Sequence, residues 1–278
     1  MFQIDRFIKY GNELKANENA RLVIWDSIEK KIYAEAQGLH AANYMRSTFL
    51  DIKNKIVYYG TNSSVCYIDF KDNSHIDILE KHSIKSKEKY EFGNSLYYVD
   101  YFTYANGNLF INIRTQTPSK TSSQSVYKIF RICNNNCTVI KQIQTFDSNQ
   151  YIHILGAVDE KYLMYFYNGK YYNVDFDGNV LQAKPGKVGS LSAQLSHDGE
   201  KILFSRGKTP NDLILEDVES QSEIELCPGT PQSADKYGIH FKSFWIDHQK
   251  ALAIIGFPSL GEQSDYSSIV MKKYEFKK

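Results

Sequence analysis

The sequence predicts an all-β protein of the β-propeller type, and three observations carry the prediction: an aromatic-rich composition, short strands punctuated by turns, and a recurring unit. Aromatic residues make up 14% of the 278, with 21 Tyr and 16 Phe, types that suit half-buried pleated strands better than helices. Helical periodicity is poor throughout. The chain is long enough for one large domain, so residues 1–278 are read as a single domain.

The clearest unit is Ser192-Ala-Gln-Leu-Ser-His-Asp-Gly-Glu-Lys-Ile-Leu-Phe-Ser205. It reads as strand, Asp198-Gly199 hairpin turn, strand, because Asp-Gly tolerates the positive φ of tight hairpins. Further strands follow at Asp212 to Val218 and Ser222 to Cys227, giving four in under 40 residues. Phe244 to Gly256 can be laid on the same unit, which aligns Lys250 with Lys201. Lys161, Asn108 and Lys55 take that place in earlier units, and the successive spacings from 55 to 250 are 53, 53, 40 and 49. A propeller blade takes roughly 40 to 50 residues. In the unit at residue 55 the strands fall near Phe49 to Ile52, Lys55 to Gly60, Val65 to Phe70 and His75 to Leu79. The longest unit runs from Tyr97 to Phe146, with Gln116 to Ser125 as a polar hairpin loop. The next closes with Tyr171 to Phe176 and Asn179 to Gln182.

The last unit ends at a third strand, Ser268 to Phe276, while Phe2 to Ile8 reads as a lone strand before Arg21 to Asp26 and Lys31 to Glu35. A lone N-terminal strand that completes the last blade would close the ring and remove its open edges. Six four-stranded blades are therefore expected, with five as the alternative. Ser196 to Ser205 resembles the Ser-Pro-Asp-Gly-Lys-x-Ile-Ala-Phe repeat of TolB-like and prolyl-oligopeptidase-like propellers, with His197 in place of Pro, and Val23-Ile-Trp-Asp26 resembles a strand ending of WD repeats. The resemblance implies the fold and no activity, since propellers host many.

Lys plus Arg number 33 against 32 Asp plus Glu, so nothing draws the chain to nucleic acid or anionic lipid. The N-terminal stretch lacks the apolar core of a signal peptide, and no apolar run nears the roughly 18 residues of a membrane span. A cytoplasmic protein with reduced cysteines is the expectation.

Catalytic patterns are sparse. There is no Gly-x-Ser-x-Gly elbow for a hydrolase. Cys133-Asn-Asn-Asn-Cys137 flanks a short turn, so the two thiols are expected to face each other across a hairpin, without the further ligands a zinc site needs. The seven histidines are scattered over different units, and Asp159, Asp198 and Asp247 recur at equivalent turns, where Asp serves the backbone. The basic run Lys81 to Tyr90 carries both signs and reads as a solvated loop between blades. Arg46, Arg114, Arg131 and Arg206 cannot be gathered on one face from sequence. No cofactor, metal or catalytic residue is assigned.

The remaining expectation is a non-enzymatic protein that binds another protein, monomeric on its own, in the role of a bacterial inhibitor or immunity protein against a toxin domain. Loops on a rigid scaffold concentrate function, and the blade-to-blade connections include Leu39 to Arg46, Phe146 to Tyr151 and Gly229 to Tyr237. The predicted contact residues are Tyr44, Arg46, Asp147, Asn149, Tyr151, Lys236, Tyr237 and His240, with Tyr and Arg the types enriched at hot spots. The alternative is a small-molecule or carbohydrate-active enzyme with its site at the mouth of the central channel.

Overall fold

Antiparallel meanders follow one another along almost the whole chain. The computed structural model describes residues 2–5, 8–10, 13–15, 21–26, 31–37, 48–51, 54–60, 64–72, 74–86, 88, 96–105, 107–117, 124–146, 150–158, 161–187, 193–206, 212–227, 239–247, 250–258 and 266–276. Before residue 48, and over most of 239–272, only the backbone pairing is described.

The first sheet joins β1 (Phe2–Asp5), β4 (Arg21–Asp26) and β5 (Lys31–Gln37), with a separate ribbon of β2 (Ile8–Tyr10) and β3 (Glu13–Lys15) inserted after β1. The second sheet is β6 (Thr48–Asp51), β7 (Ile56–Gly60), β8 (Val65–Asp69) and β9 (Ser74–Asp77), followed by the short helix α1 (Ile78–Lys81). The third is β10 (Leu96–Ala105), β11 (Asn108–Thr117), β12 (Gln124–Cys133) and β13 (Asn136–Thr145). The fourth is β14 (His153–Val158), β15 (Tyr162–Tyr167), β16 (Lys170–Val174) and β17 (Val180–Pro185). The fifth is β18 (Gln194–Leu195), β19 (Lys201–Arg206), β20 (Asp212–Asp217) and β21 (Glu223–Cys227), and the sixth is β22 (Ile239–Asp247), β23 (Lys250–Pro258) and β24 (Tyr266–Glu275). Two compact units divide the chain, Met1–Gln150 and Tyr151–Lys278. The division falls in the connection between the third and fourth sheets, where no strand pairing is interrupted.

The repeat positions read from sequence land together. Lys55, Asn108, Lys161, Lys201 and Lys250 each stand at or one residue before the second strand of a sheet. A second repeating mark lies at the end of the third strand. Asp69 accepts the N–H of Lys71 (2.9 Å), Asp175 those of Asp177 and Asn179 (3.0 and 2.8 Å), and Asp217 those of Glu219 and Ser220 (3.2 and 2.9 Å). Each carboxylate closes the turn into the outermost strand by satisfying N–H groups that the ladder leaves over. Asp198 does the same at an earlier turn: it accepts from Glu200 N–H (3.1 Å) and Ser196 Oγ (2.6 Å), while Gly199 takes the positive φ of 79°.

Two expectations are corrected. Phe2 to Ile8 is not a lone strand. Phe2–Asp5 pairs with β4 from Phe2↔Ile24 to Asp5↔Arg21, and Ile8–Tyr10 pairs with β3, so the sixth sheet has three strands among the described residues. Nor do Cys133 and Cys137 face each other. The turn is the two residues Asn134 and Asn135, both at positive φ (49° and 68°), so Cys133 pairs with Asn136 and Cys137 with Ile132. A one-residue offset puts the two thiols on opposite faces of the sheet, and neither is in a disulfide.

Most four-stranded sheets bury both faces of their second strand. Ile202 and Phe204 of β19 pack with Leu155, Met164 and Phe166 of the fourth sheet, whereas Leu203 between them packs with Trp245 and Ala251 of the sixth. In β11, Leu109, Ile111 and Ile113 pack against Val65, Ile78 and Leu79, and the intervening Phe110 and Asn112 are buried too. Fully burying each such large side chain stabilises the fold by about 1.5–3 kcal/mol. These strands therefore read as near-continuous apolar runs, while outer strands such as Val180–Pro185 are largely exposed.

Candidate functional site

The connections between successive sheets carry the polar chemistry, beginning with the segment after β9. Asp77 ends that strand and caps α1, accepting from Leu79 N–H (2.9 Å) and Glu80 N–H (3.1 Å). Lys85 Nζ donates to the second Asp77 oxygen at 2.5 Å. Burial works against ionisation of Asp77, but Lys85, Ser64 and the Glu80 N–H outweigh it and hold the carboxyl below its usual range. Ile78, Leu79 and Ile84 are buried, so this segment is pinned to the sheets. The sequence reading of Lys81 to Tyr90 as a solvated loop is corrected at Ile84 and Glu88, which are buried, while Lys81, Ser83 and Ser86 are exposed.

Glu88 completes the segment. It is buried, with one oxygen 2.8 Å from Lys128 Nζ and the other accepting from Thr115 Oγ1 at 3.1 Å. The side chains of Lys128 and Glu88 are 7% and 4% exposed, so the pair is a desolvated lock between a connection and strands β11 and β12. Burial, and next the charge of Glu88, push the Tyr97 phenol up. Burial and then the Asp77 charge do the same to the Cys66 thiol.

On β10, Asp100 sits at an irregularity between Val99 and Tyr101, 3.3 Å from Arg114 Nε, and the Arg114 guanidinium lies 4.7 Å from the centre of the Tyr98 ring. After β13, Thr145 Oγ1 donates to Gln150 Oε1 at 3.1 Å, and Phe146 stands 65% exposed.

In the second unit Tyr151 packs half-buried with its ring 6.1 Å from that of Phe166. His153 is buried, with Nε2 3.3 Å from the Ala193 carbonyl, and burial lowers its pKa to about 4. Tyr171 OH reaches both oxygens of the buried Glu216 at 2.9 Å and accepts from Lys187 N–H at 3.3 Å. Burial holds the Glu216 carboxyl above its usual range, opposed by the Tyr171 hydrogen bond. Glu223, opposite Glu216 in the ladder, is held low by its bond with Arg206 (2.6 Å).

Of the predicted contact residues, Tyr151 is the one whose side chain is placed. His240 lies in β22 opposite Ile255, and Tyr44, Arg46, Asp147, Asn149, Lys236 and Tyr237 fall outside the described residues. Sequence reasoning missed Phe146 as an exposed aromatic, Glu88 as a buried acid and Glu216. Phe146 had a readable signal, an aromatic at a strand end before Asp-Ser-Asn. Glu88 had none. Among the described residues no group of three or more His, Cys, Asp or Glu could hold a metal ion, and no helix is long and apolar enough to cross a membrane.

No family model and no curated protein sequence matches the chain. Solved structures similar to it include the β-propeller domain of the Trilobed protease from Pyrococcus furiosus, 12% identical, with a TM-score of 0.40 over 84% of this chain and 70% of that one. A protein of unknown function from Bacteroides caccae is 10% identical, with a TM-score of 0.48 over 93% and 89%. The dihydro-heme d1 dehydrogenase NirN is 9% identical with a TM-score of 0.46, and this chain spans 52% of its length. At these identities nothing about activity transfers. The chain itself is all-β, built from consecutive four-stranded antiparallel sheets in the manner of propeller-like proteins.

Proposed function

We propose that this chain is a protein-binding β-propeller of six blades, one for each sheet of three or four strands, and that it engages its partner through the blade-to-blade connections. The observation that carries the reading is Phe146, a large aromatic left 65% exposed just after β13, beside the hydrogen bond from Thr145 Oγ1 to Gln150 Oε1. An exposed aromatic supplies hot-spot area on binding. Tyr151 follows in the same connection, and Tyr44, Arg46, Asp147, Asn149, Lys236, Tyr237 and His240 are assigned with it. In its narrowest form the reading makes the chain a cytoplasmic inhibitor of a toxin domain.

The test is affinity capture from the native host with the wild type and with Phe146→Ser and Tyr151→Ala combined. One stoichiometric partner retained by the wild type and lost by the variant supports the reading. A partner held equally by both, or none, overturns it. Inhibition is then read as loss of the purified partner's own activity on adding the chain.

A further inference from the structure

Three described turns place an asparagine or aspartate directly before a glycine: Asn168-Gly169, Asp177-Gly178 and Asp198-Gly199. They differ in what holds the glycine N–H. Gly178 donates to the Asp175 carbonyl (3.1 Å) and Gly199 to the Ser196 carbonyl (3.0 Å), and the Tyr162 hydroxyl fills the space where a Cβ would stand on Gly199. Gly169 has neither restraint. Its N–H donates to no group among the described residues, and no atom lies within 4 Å of where its Cβ would stand. The Asn168 side chain beside it is exposed and makes no hydrogen bond among the described residues. These two residues are the whole turn between β15 and β16, at φ 48° and 72°, the Asn-Gly form of a tight hairpin.

We propose that Asn168 is a covalent modification site that loses its side-chain amide without an enzyme, a property independent of the protein-binding reading. Gly169 has no side chain to hinder the approach, and its nitrogen attacks Asn168 Cγ. A C–N bond forms, the amide Cγ–N bond breaks, and ammonia leaves with the proton that Gly169 gives up, so a cyclic imide remains. Water then opens the imide. Attack at the side-chain carbonyl gives aspartate, and attack at the main-chain carbonyl gives isoaspartate, whose backbone runs through Cγ and is one carbon longer. The turn that lengthens sets the register of Tyr167↔Lys170 and Phe166↔Tyr171. Its Gly169 carbonyl also accepts from Gly186 N–H at 2.9 Å, and Gly186 lies against the Tyr171 ring. Isoaspartate therefore loosens the fourth sheet at the residue that donates to Glu216.

The experiment is incubation of the folded chain at mildly alkaline pH, followed by tryptic mass mapping. Trypsin releases Tyr162–Lys170, in which Asn168 is the sole amide side chain. The expected result is the mass gain of amide-to-acid conversion in that peptide, split into two chromatographic forms, of which an isoaspartyl methyltransferase labels one. In a chain carrying Asp177→Asn and Asp198→Asn all three turns read Asn-Gly. The two new sites are expected to convert roughly fivefold more slowly than Asn168, because each glycine must first give up a hydrogen bond. No conversion of the folded wild type in the time that the free peptide takes overturns the proposal. So does conversion at either new site as fast as at Asn168 in a variant that melts like the wild type.

Discussion

The interface between the second and third sheets and that between the fourth and fifth meet the same difficulty in different ways. Twisted sheets packed face to face leave polar groups stranded where the wedge between them closes. In the first unit the connection from the second sheet is locked to β11 and β12 of the third by an ion pair, Glu88 with Lys128, and Thr115 donates to the remaining carboxylate oxygen. In the second the wedge is sealed by Glu216, whose hydrogen-bond donor is Tyr171, and by a neutral His153 against the Ala193 carbonyl. One interface matches charge with charge. The other buries titratable groups whose neutral forms desolvation favours, His153 and Glu216, which makes its stability depend on pH.

Breaking the pair in the first unit is expected to have the largest effect. Lys128→Met strands the Glu88 carboxylate, and Glu88→Gln strands the ammonium, each at about 3–5 kcal/mol in urea unfolding at neutral pH. The double variant should recover much of that loss. If each single variant costs under about 1 kcal/mol, the pair is not the desolvated lock described here.

The second interface should respond to acid. His153 is held neutral, with its pKa lowered from 6.5 to about 4. The unfolded chain therefore binds more protons than the folded one between those values. Stability falls as pH drops from about 6.5 toward 4, by up to about 3 kcal/mol. His153→Gln should flatten that slope in melting curves across the window. A wild type with no slope there would remove the contrast between the two interfaces.

Smaller and opposite effects sharpen the comparison at Glu216. Its raised pKa means that stability is present below the unfolded carboxyl value and is lost as pH rises through the folded one. Glu216→Gln keeps an acceptor for Tyr171 and removes the desolvated charge, so it should stabilise the protein by about 1 kcal/mol near pH 8 and leave it unchanged near pH 4. Tyr171→Phe takes away the carboxylate's donor and should cost about 1–3 kcal/mol by the same measurement. At the cysteines the smallest effect is expected. Mild oxidation should yield no Cys133–Cys137 disulfide by mass, and Cys133→Ser should move stability by less than about 0.5 kcal/mol.

What was legible in the sequence was local. Strand and turn positions from Lys55 to Lys250 followed from alternation, aromatic content and the Asp-Gly hairpin, because neighbouring residues alone decide them. The Asp at the end of the third strand was equally open to reading, at Asp69, Asp175 and Asp217, yet one Trp-Asp pair in another sheet drew notice instead of the series. The short helix after Asp77 was missed because four residues leave no periodicity to detect. The facing of Cys133 and Cys137 was misjudged because three intervening residues do not fix a turn: Asn134 and Asn135 at positive φ shorten it by one, and one residue reverses a side chain.

By itself, then, the sequence determined an all-β chain of repeated four-stranded units, since strand period and turn chemistry are set within a few residues. Tertiary structure alone decided that Glu88 meets Lys128 from 40 residues away, that Tyr171 meets Glu216 from 45 and that Phe2–Asp5 joins β4. These pairings have no sequence signature because burial, which makes a partner necessary, exists only once neighbouring sheets are packed.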